Sequence, residues 1–166
     1  MTEALTLRVK NLSRLMSAAI ALVVFAGDQV TKSMVEKSIP EHAVIPIIPR
    51  FFNLTHVKNA GAAFGMFSDT PSPLKTTLLI VVSTALLITV LTFAWRSRSL
   101  HWEASVGLAL ILGGALSNLV DRIRLGRVID FLDVYYGSYH WYTFNLADSA
   151  IVVGAGFLVL QVFFTD

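Results

Sequence analysis

The sequence predicts a membrane protein that is mainly α-helical: four transmembrane helices with a small extracytoplasmic sheet between helices one and two. Three observations carry that expectation. Of the 166 residues, 55% are hydrophobic and 14% charged, whereas a soluble domain carries about a quarter charged residues; mean hydropathy is +0.67. The apolar residues are gathered into stretches of the roughly 20 residues that cross a bilayer. The segment after the first stretch is instead a set of short apolar runs broken by Pro46, Pro49, Gly61 and Gly65.

The spans are expected at about 14–34, 74–95, 102–122 and 145–164 in a single integral-membrane domain, residues 1–166. Arg8, Lys10 and Arg14 precede the first span, as in the charged region of a signal peptide. The further apolar segments that follow argue for an uncleaved first helix. The second span carries no charge after Lys75; the first and third turn polar in their last turns, and the fourth is polar in its first. If the chain alternates across the bilayer, those polar ends share one side, which gathers Asp28, Asn118, Asp121, Arg122 and Asp148. Arg8, Lys10, Arg14, Arg96 and Arg98 place both termini in the cytoplasm and the polar site outside, although the opposite loops also carry basic residues.

Residues of about 40–70 are expected to form the small sheet, since "FFNLTHV" alternates as a strand does. Residues 123–144, rich in Tyr135, Tyr136, Tyr139, Trp141 and Tyr142, are expected to form an aromatic interfacial loop.

Several chemistries are excluded. No cysteine is present, and there is no HExxH, GxSxG or Walker A pattern. His42, His56, His101 and His140 are scattered, so neither a metal nor a cofactor is expected. A net charge of +2 gives no reason to expect nucleic acid.

Most acids have a structural explanation. Asp28 and Lys32 are spaced to pair across one helical turn. Asp121 lies beside Arg122, Arg124 and Arg127, where an ion pair is expected. Asp130 and Asp148 differ: one interrupts the apolar run "VIDFLDV", the other opens the last span. Asp148 has a second reading as a helix-end carboxylate, with Asn145 and Ser149 beside it. Two such acids brought together at the membrane boundary, with Asn118 and Asn145 nearby, suit a site. Close carboxylates in a poorly hydrated pocket share one proton. One can then activate water while the other donates to a carbonyl oxygen, which is amide hydrolysis without a covalent intermediate.

Gly114, Asn118 and Arg122 recur every four residues along one helix face. Gly113 with Ser117, and Ala150 with Gly154, are small-residue pairs that let helices approach closely. Two rival readings use the same residues: a proton-relay transporter, and an assembly subunit that docks partner helices on its small-residue faces.

Five blocks narrow the choice: "DQVTK" at 28–32, "NAGAAFG" at 59–65, "GGALSNLVDR" at 113–122, "GRVIDF" at 126–131 and "FNLADSA" at 144–150. In order and spacing the chain resembles the lipoprotein signal peptidase family, also called signal peptidase II. The resemblance implies four helices with an extracytoplasmic β-cradle, in a bacterial inner-membrane aspartic peptidase. Its substrate is a prolipoprotein bearing a diacylglyceryl-cysteine, cut just before that cysteine. The family's catalytic dyad falls on Asp130 and Asp148, and its other pocket residues on Asn59, Gly114, Asn118, Arg122 and Asn145. Asp28 and Lys32 match a block whose role is structural, while Ser117 and Asp133 occupy variable positions. Membrane lipid is the surrounding partner, and a monomer is expected. Asn59, Asn118 and Arg122 are expected to hold the unwound substrate backbone, under an apolar lid formed by Phe51, Phe52, Phe64 and Phe67.

Overall fold

The computed structural model describes residues 3–61, 72–97 and 101–164, with side chains described from Ser13 to Phe163 within those ranges. Phe64 and Phe67 of the expected lid, and the "AAFG" end of the second block, lie outside the described residues.

The elements follow in the order α1 (Glu3–Ser38), β1 (Val44–Ile48), β2 (Phe52–Asn59), α2 (Pro73–Arg96), α3 (Trp102–Leu125), β3 (Val128–Tyr136), β4 (Tyr139–His140) and α4 (Leu146–Phe164). Each helix holds a segment long and apolar enough to cross a membrane: Ser13–Ser38, Pro73–Arg96, Trp102–Leu125 and Leu146–Phe163. The chain is a multi-pass membrane protein.

Helix α3 is the hub. It packs against α1 and α4, and α2 leans on α3 with no buried residue of its own. Small residues make this possible, because lipid gives helices no hydrophobic reason to associate and close backbone approach must supply the contact. Gly107 of α3 and Gly154 of α4 face each other's carbonyls, so a Cβ on either would sit 2.6–2.7 Å from backbone oxygen. Gly114 lies against the Ala147 carbonyl of α4, and its neighbour Gly113 against Ala21 of α1. The small residues of α3 therefore serve two different helices, one on each side. Gly126 ends α3 in the left-handed conformation, φ 70°, with its N–H on the Arg122 carbonyl at 3.0 Å.

The sheet is antiparallel in the order β1-β2-β3-β4. Strands β1 and β2 come from the connection between the first two helices, as expected. Strands β3 and β4 come from the connection between α3 and α4, so the region expected as an aromatic loop completes the sheet instead. The reason is the alternation in "VIDFLDV". Ile129 and Phe131 project onto Val35 and Ile39 at the end of α1, which leaves Asp130 on the opposite face of the strand. The aromatic residues cluster at the far end of that hairpin, where Tyr136, Tyr139, Trp141 and Tyr142 are exposed.

Candidate active site

Asp130 and Asp148 come together through a short backbone pairing. The N–H groups of Phe131 and Leu132 in β3 donate to the Phe144 carbonyl at 3.0 and 2.8 Å, and Phe144 N–H returns a bond to Leu132. This zips the chain after β4 onto β3 and sets Asn145 beside Asp130. Helix α4 begins at the next residue, with Asp148 in its first turn. On the other side of β3, an irregularity in β2 between Leu54 and Val57 lies next to the Val57–Asp130 pair. Bulges of this kind re-aim side chains, and Asn59 at the end of β2 reaches Asp130.

Each carboxylate accepts two hydrogen bonds. Asp130 Oδ2 accepts from Asn59 Nδ2 at 2.9 Å, and Asp130 Oδ1 from Asn145 Nδ2 at 2.7 Å. Asp148 Oδ1 accepts from Asn118 Nδ2 at 2.8 Å, and Asp148 Oδ2 from the Asn145 N–H at 3.2 Å. Asn145 therefore touches both acids at once.

The three asparagines share a further property: each has its amide orientation set by a group that can only donate. Asn59 Oδ1 accepts the Gly61 N–H at 2.8 Å, Asn145 Oδ1 the Asp148 N–H at 2.9 Å, and Asn118 Oδ1 the Lys32 ammonium at 2.8 Å. With the oxygen engaged, each NH₂ must face away, and all of them face the acids. Burial of Asp130 raises its carboxyl to about 7, and the nearby Asp148 charge acts in the same direction against the opposing bonds from Asn59 and Asn145. A carboxyl near that value is poised to hold or release a proton at neutral pH.

Behind Asn118 sits a buried ion cluster. Lys32 Nζ lies 2.6 Å from Asp28 Oδ2 and 2.6 Å from Asp121 Oδ2. Ser117 donates to Asp28 Oδ2 at 2.7 Å, and Gln29 to Asp121 Oδ1 at 2.7 Å. Asp28 Oδ1 accepts the Ala147 N–H at 2.9 Å in the first turn of α4. The expected Asp28–Lys32 pair is thus present, within a larger arrangement. The expectation for Asp121 is corrected: its ion-pair partner among the described residues is Lys32, not a neighbouring arginine. Ser117, Asn118 and Asp121 lie within about one turn, and that face of α3 looks at α1. Gln29 was not singled out and Ser117 was read only as a small packing residue; their signal was adjacency, one beside Asp28 and the other one turn before Asp121.

Gly114 holds α3 against α4 and so sets the separation of Asn118 from Asp148. Arg122 bridges the Asn118 carbonyl and the Gly61 carbonyl at 3.3 and 3.4 Å, tying α3 to the segment after β2. Asp133, three residues beyond Asp130, serves the sheet: it accepts from Asn53 at 2.7 Å and meets His140 Nδ1 at 2.8 Å.

Asp130 and Asp148 are thus held by asparagine amides at one end of the helix bundle, an arrangement in which two carboxyls can share a proton. Residues 20–164 match the family model described as signal peptidase (SPase) II. The chain belongs to the signal peptidase II family. Signal peptidase II membership makes it a peptidase of the aspartic type, which removes both the transporter and the assembly-subunit readings. Among its relatives, the lipoprotein signal peptidase of Solibacter usitatus is 44% identical over 142 residues, 86% of this chain and 87% of the relative. That of Desulforapulum autotrophicum is 42% identical over 145 residues, 87% and 90% of the two chains. Two solved structures described as bacterial membrane enzymes share the fold. One has a TM-score of 0.80 at 30% identity, covering 89% of this chain and 87% of the other. The second has a TM-score of 0.76 at 29% identity, covering 91% and 94%.

Proposed function

We propose that this signal peptidase II cuts diacylglyceryl-modified prolipoproteins just before the lipid-modified cysteine, using water activated between Asp130 and Asp148. The supporting observation is that Asn145 hydrogen-bonds both acids, one through its side chain and one through its backbone. The names of the relatives support the substrate class.

The roles divide by surroundings. Asp148 lies in the first turn of α4, where the helix dipole favours a carboxylate, and acts as the base. Asp130 holds the proton, in keeping with its raised value. Asp148 takes a proton from water as the hydroxyl oxygen attacks the scissile carbonyl carbon, and Asp130 donates its proton to the carbonyl oxygen. The resulting gem-diol collapses as the C–N bond breaks. The amine leaves with the proton from Asp148, and one hydroxyl returns its proton to Asp130. Both aspartates end as they began, and the products are a carboxyl and an amine.

The scissile amide must leave its helix to be reached, because a helical carbonyl is already hydrogen-bonded. Asn59, Asn118 and Arg122 receive that unwound backbone, and the acyl chains of the modified cysteine stay in the bilayer. Lipid is thus both solvent and part of the substrate. The enzyme works as a monomer in the bacterial inner membrane. Both termini are cytoplasmic, since Arg14, at the start of the first span, and Arg96, at the end of α2, lie away from the site.

The test is to make Asp130→Asn and Asp148→Asn separately and follow cleavage of a lipidated substrate by purified protein with a chelator present. Loss in each variant is expected, by about a hundredfold or more; normal processing by either removes that residue from the dyad.

A further inference from the structure

Of the three donor-only groups that orient the asparagines, two are backbone N–H groups and cannot be changed by substitution. The third, Lys32, is a side chain. It is 2% exposed and faces three oxygens: the ion-paired Asp28 Oδ2 and Asp121 Oδ2, each at 2.6 Å, and Asn118 Oδ1, to which it donates a hydrogen bond at 2.8 Å. Two anions would suffice to satisfy one cation. The third contact leaves the ion cluster and meets the amide that bonds Asp148.

We propose that Lys32 is a positioning residue for this site: by holding Asn118 Oδ1 it turns the Asn118 NH₂ onto Asp148 and so assigns the shared proton to Asp130. An ammonium has no acceptor, so the amide oxygen must face it. Reversal would bring NH₂ against a cation and oxygen against the Asp148 carboxylate, two like-signed contacts in a buried place. Without Lys32 the Asn118 oxygen keeps only the longer bond from Asn145 Nδ2, at 3.3 Å, against which the amide can turn so that its oxygen accepts from a protonated Asp148. The proton changes owner and the base is lost. The charged groups around the pair are Asp28 and Lys32 of α1, Asp121 and Arg122 of α3, and the two acids of β3 and α4. Of the two cations among them, Lys32 meets the side-chain amide that donates to the dyad, whereas Arg122 meets the Asn118 backbone carbonyl. The inference rests on the dyad assignment proposed above.

The test compares Lys32→Met/Asp121→Asn with Lys32→Gln/Asp121→Asn. Lys32, Asp28 and Asp121 together carry one net negative charge, and in both variants Asp28 alone carries it, so the buried charge is unchanged. The variants differ in whether position 32 offers Asn118 a donor beside the 3.3 Å bond from Asn145 Nδ2 that both retain. With thermal unfolding near that of Asp121→Asn, the Met variant is expected to lose about a hundredfold in kcat with KM within about threefold, and Gln to recover about tenfold of the loss. Infrared absorption of the protonated carboxyl reads the assignment without turnover. In the parent it should vanish with Asp130→Asn and persist with Asp148→Asn; in the Met background it should depend on Asp148. Should the Met variant not fold, Asn118→Leu removes the oriented amide and is expected to move the band in the same way. A folded Met variant with parental kcat, or a band that follows Asp130 in every background, overturns the proposal. Retained cleavage by Asp130→Asn or Asp148→Asn instead overturns the dyad assignment, and the infrared result stands apart from it.

Discussion

Asn145 and Asp148 cap each other: the Asp148 N–H donates to Asn145 Oδ1 at 2.9 Å, and the Asn145 N–H donates to Asp148 Oδ2 at 3.2 Å. This is the reciprocal arrangement of a capping box at the start of α4. The helix start and the candidate site therefore share the same hydrogen bonds, and the reading of Asp148 as a helix-end carboxylate does not compete with its reading as a site residue. Replacing Asn145 by Ala should cost about 1–2 kcal/mol of stability through the lost cap. Because the same amide bonds Asp130, cleavage should fall far more than that stability loss explains. Thermal unfolding and single-turnover cleavage on the same preparation check both; near-normal cleavage contradicts the bridging role.

The Asp130 carboxyl, raised to about 7, predicts the pH response. If its proton is required, kcat/KM should decline as pH rises through about 7. The stability sign follows from linkage. A carboxyl with a folded value above its unfolded 3.8 binds more protons in the folded state, so stability falls as pH rises from about 3.8 to about 7. Asp130→Asn should lose that part of the dependence. A rate that stays flat well above pH 7 counts against protonated Asp130 as the donor.

Gly114 tests how far the site depends on helix separation. A side chain there meets the Ala147 carbonyl and Ile151, so Gly114→Val must push α3 from α4. Overpacking of this kind costs about 1–3 kcal/mol, and Asn118 should lose its bond to Asp148. The expected result is a folded, membrane-inserted protein with strongly reduced cleavage, read by thermal unfolding beside an activity assay.

Removing the cation alone is a stability experiment. Lys32→Met leaves Asp28 and Asp121 buried without their partner, and breaking a buried ion pair costs about 3–5 kcal/mol. Adding Asp121→Asn should return much of it. A single variant as stable as the parent would show that water reaches the cluster.

How much was legible depended on range. Helices α1 to α4 were visible because crossing a bilayer demands a long apolar stretch, a local property of the chain. The sheet was half legible: "FFNLTHV" alternates plainly, but "VIDFLDV" lies beside so many tyrosines that composition hid the strand. Its pairing with β2 joins residues such as Asn53 and Asp133, which no local window connects. Asp28 and Lys32 were readable as a pair because they sit one turn apart. Asp121 was assigned to the wrong cation because its neighbours in sequence are arginines, while its neighbour in space, Lys32, lies on another helix.

The sequence by itself determined four membrane helices, the identity of the acids and amides, and the small residues that let the helices meet. These follow from hydropathy, side-chain chemistry and short-range spacing. Tertiary structure alone decided that Asn145 reaches both acids, that Lys32 meets Asn118, and that β3 joins the sheet. The reason is physical: hydrogen bonds act over about 3 Å, and whether two residues come that close depends on helix packing and strand pairing across the whole chain.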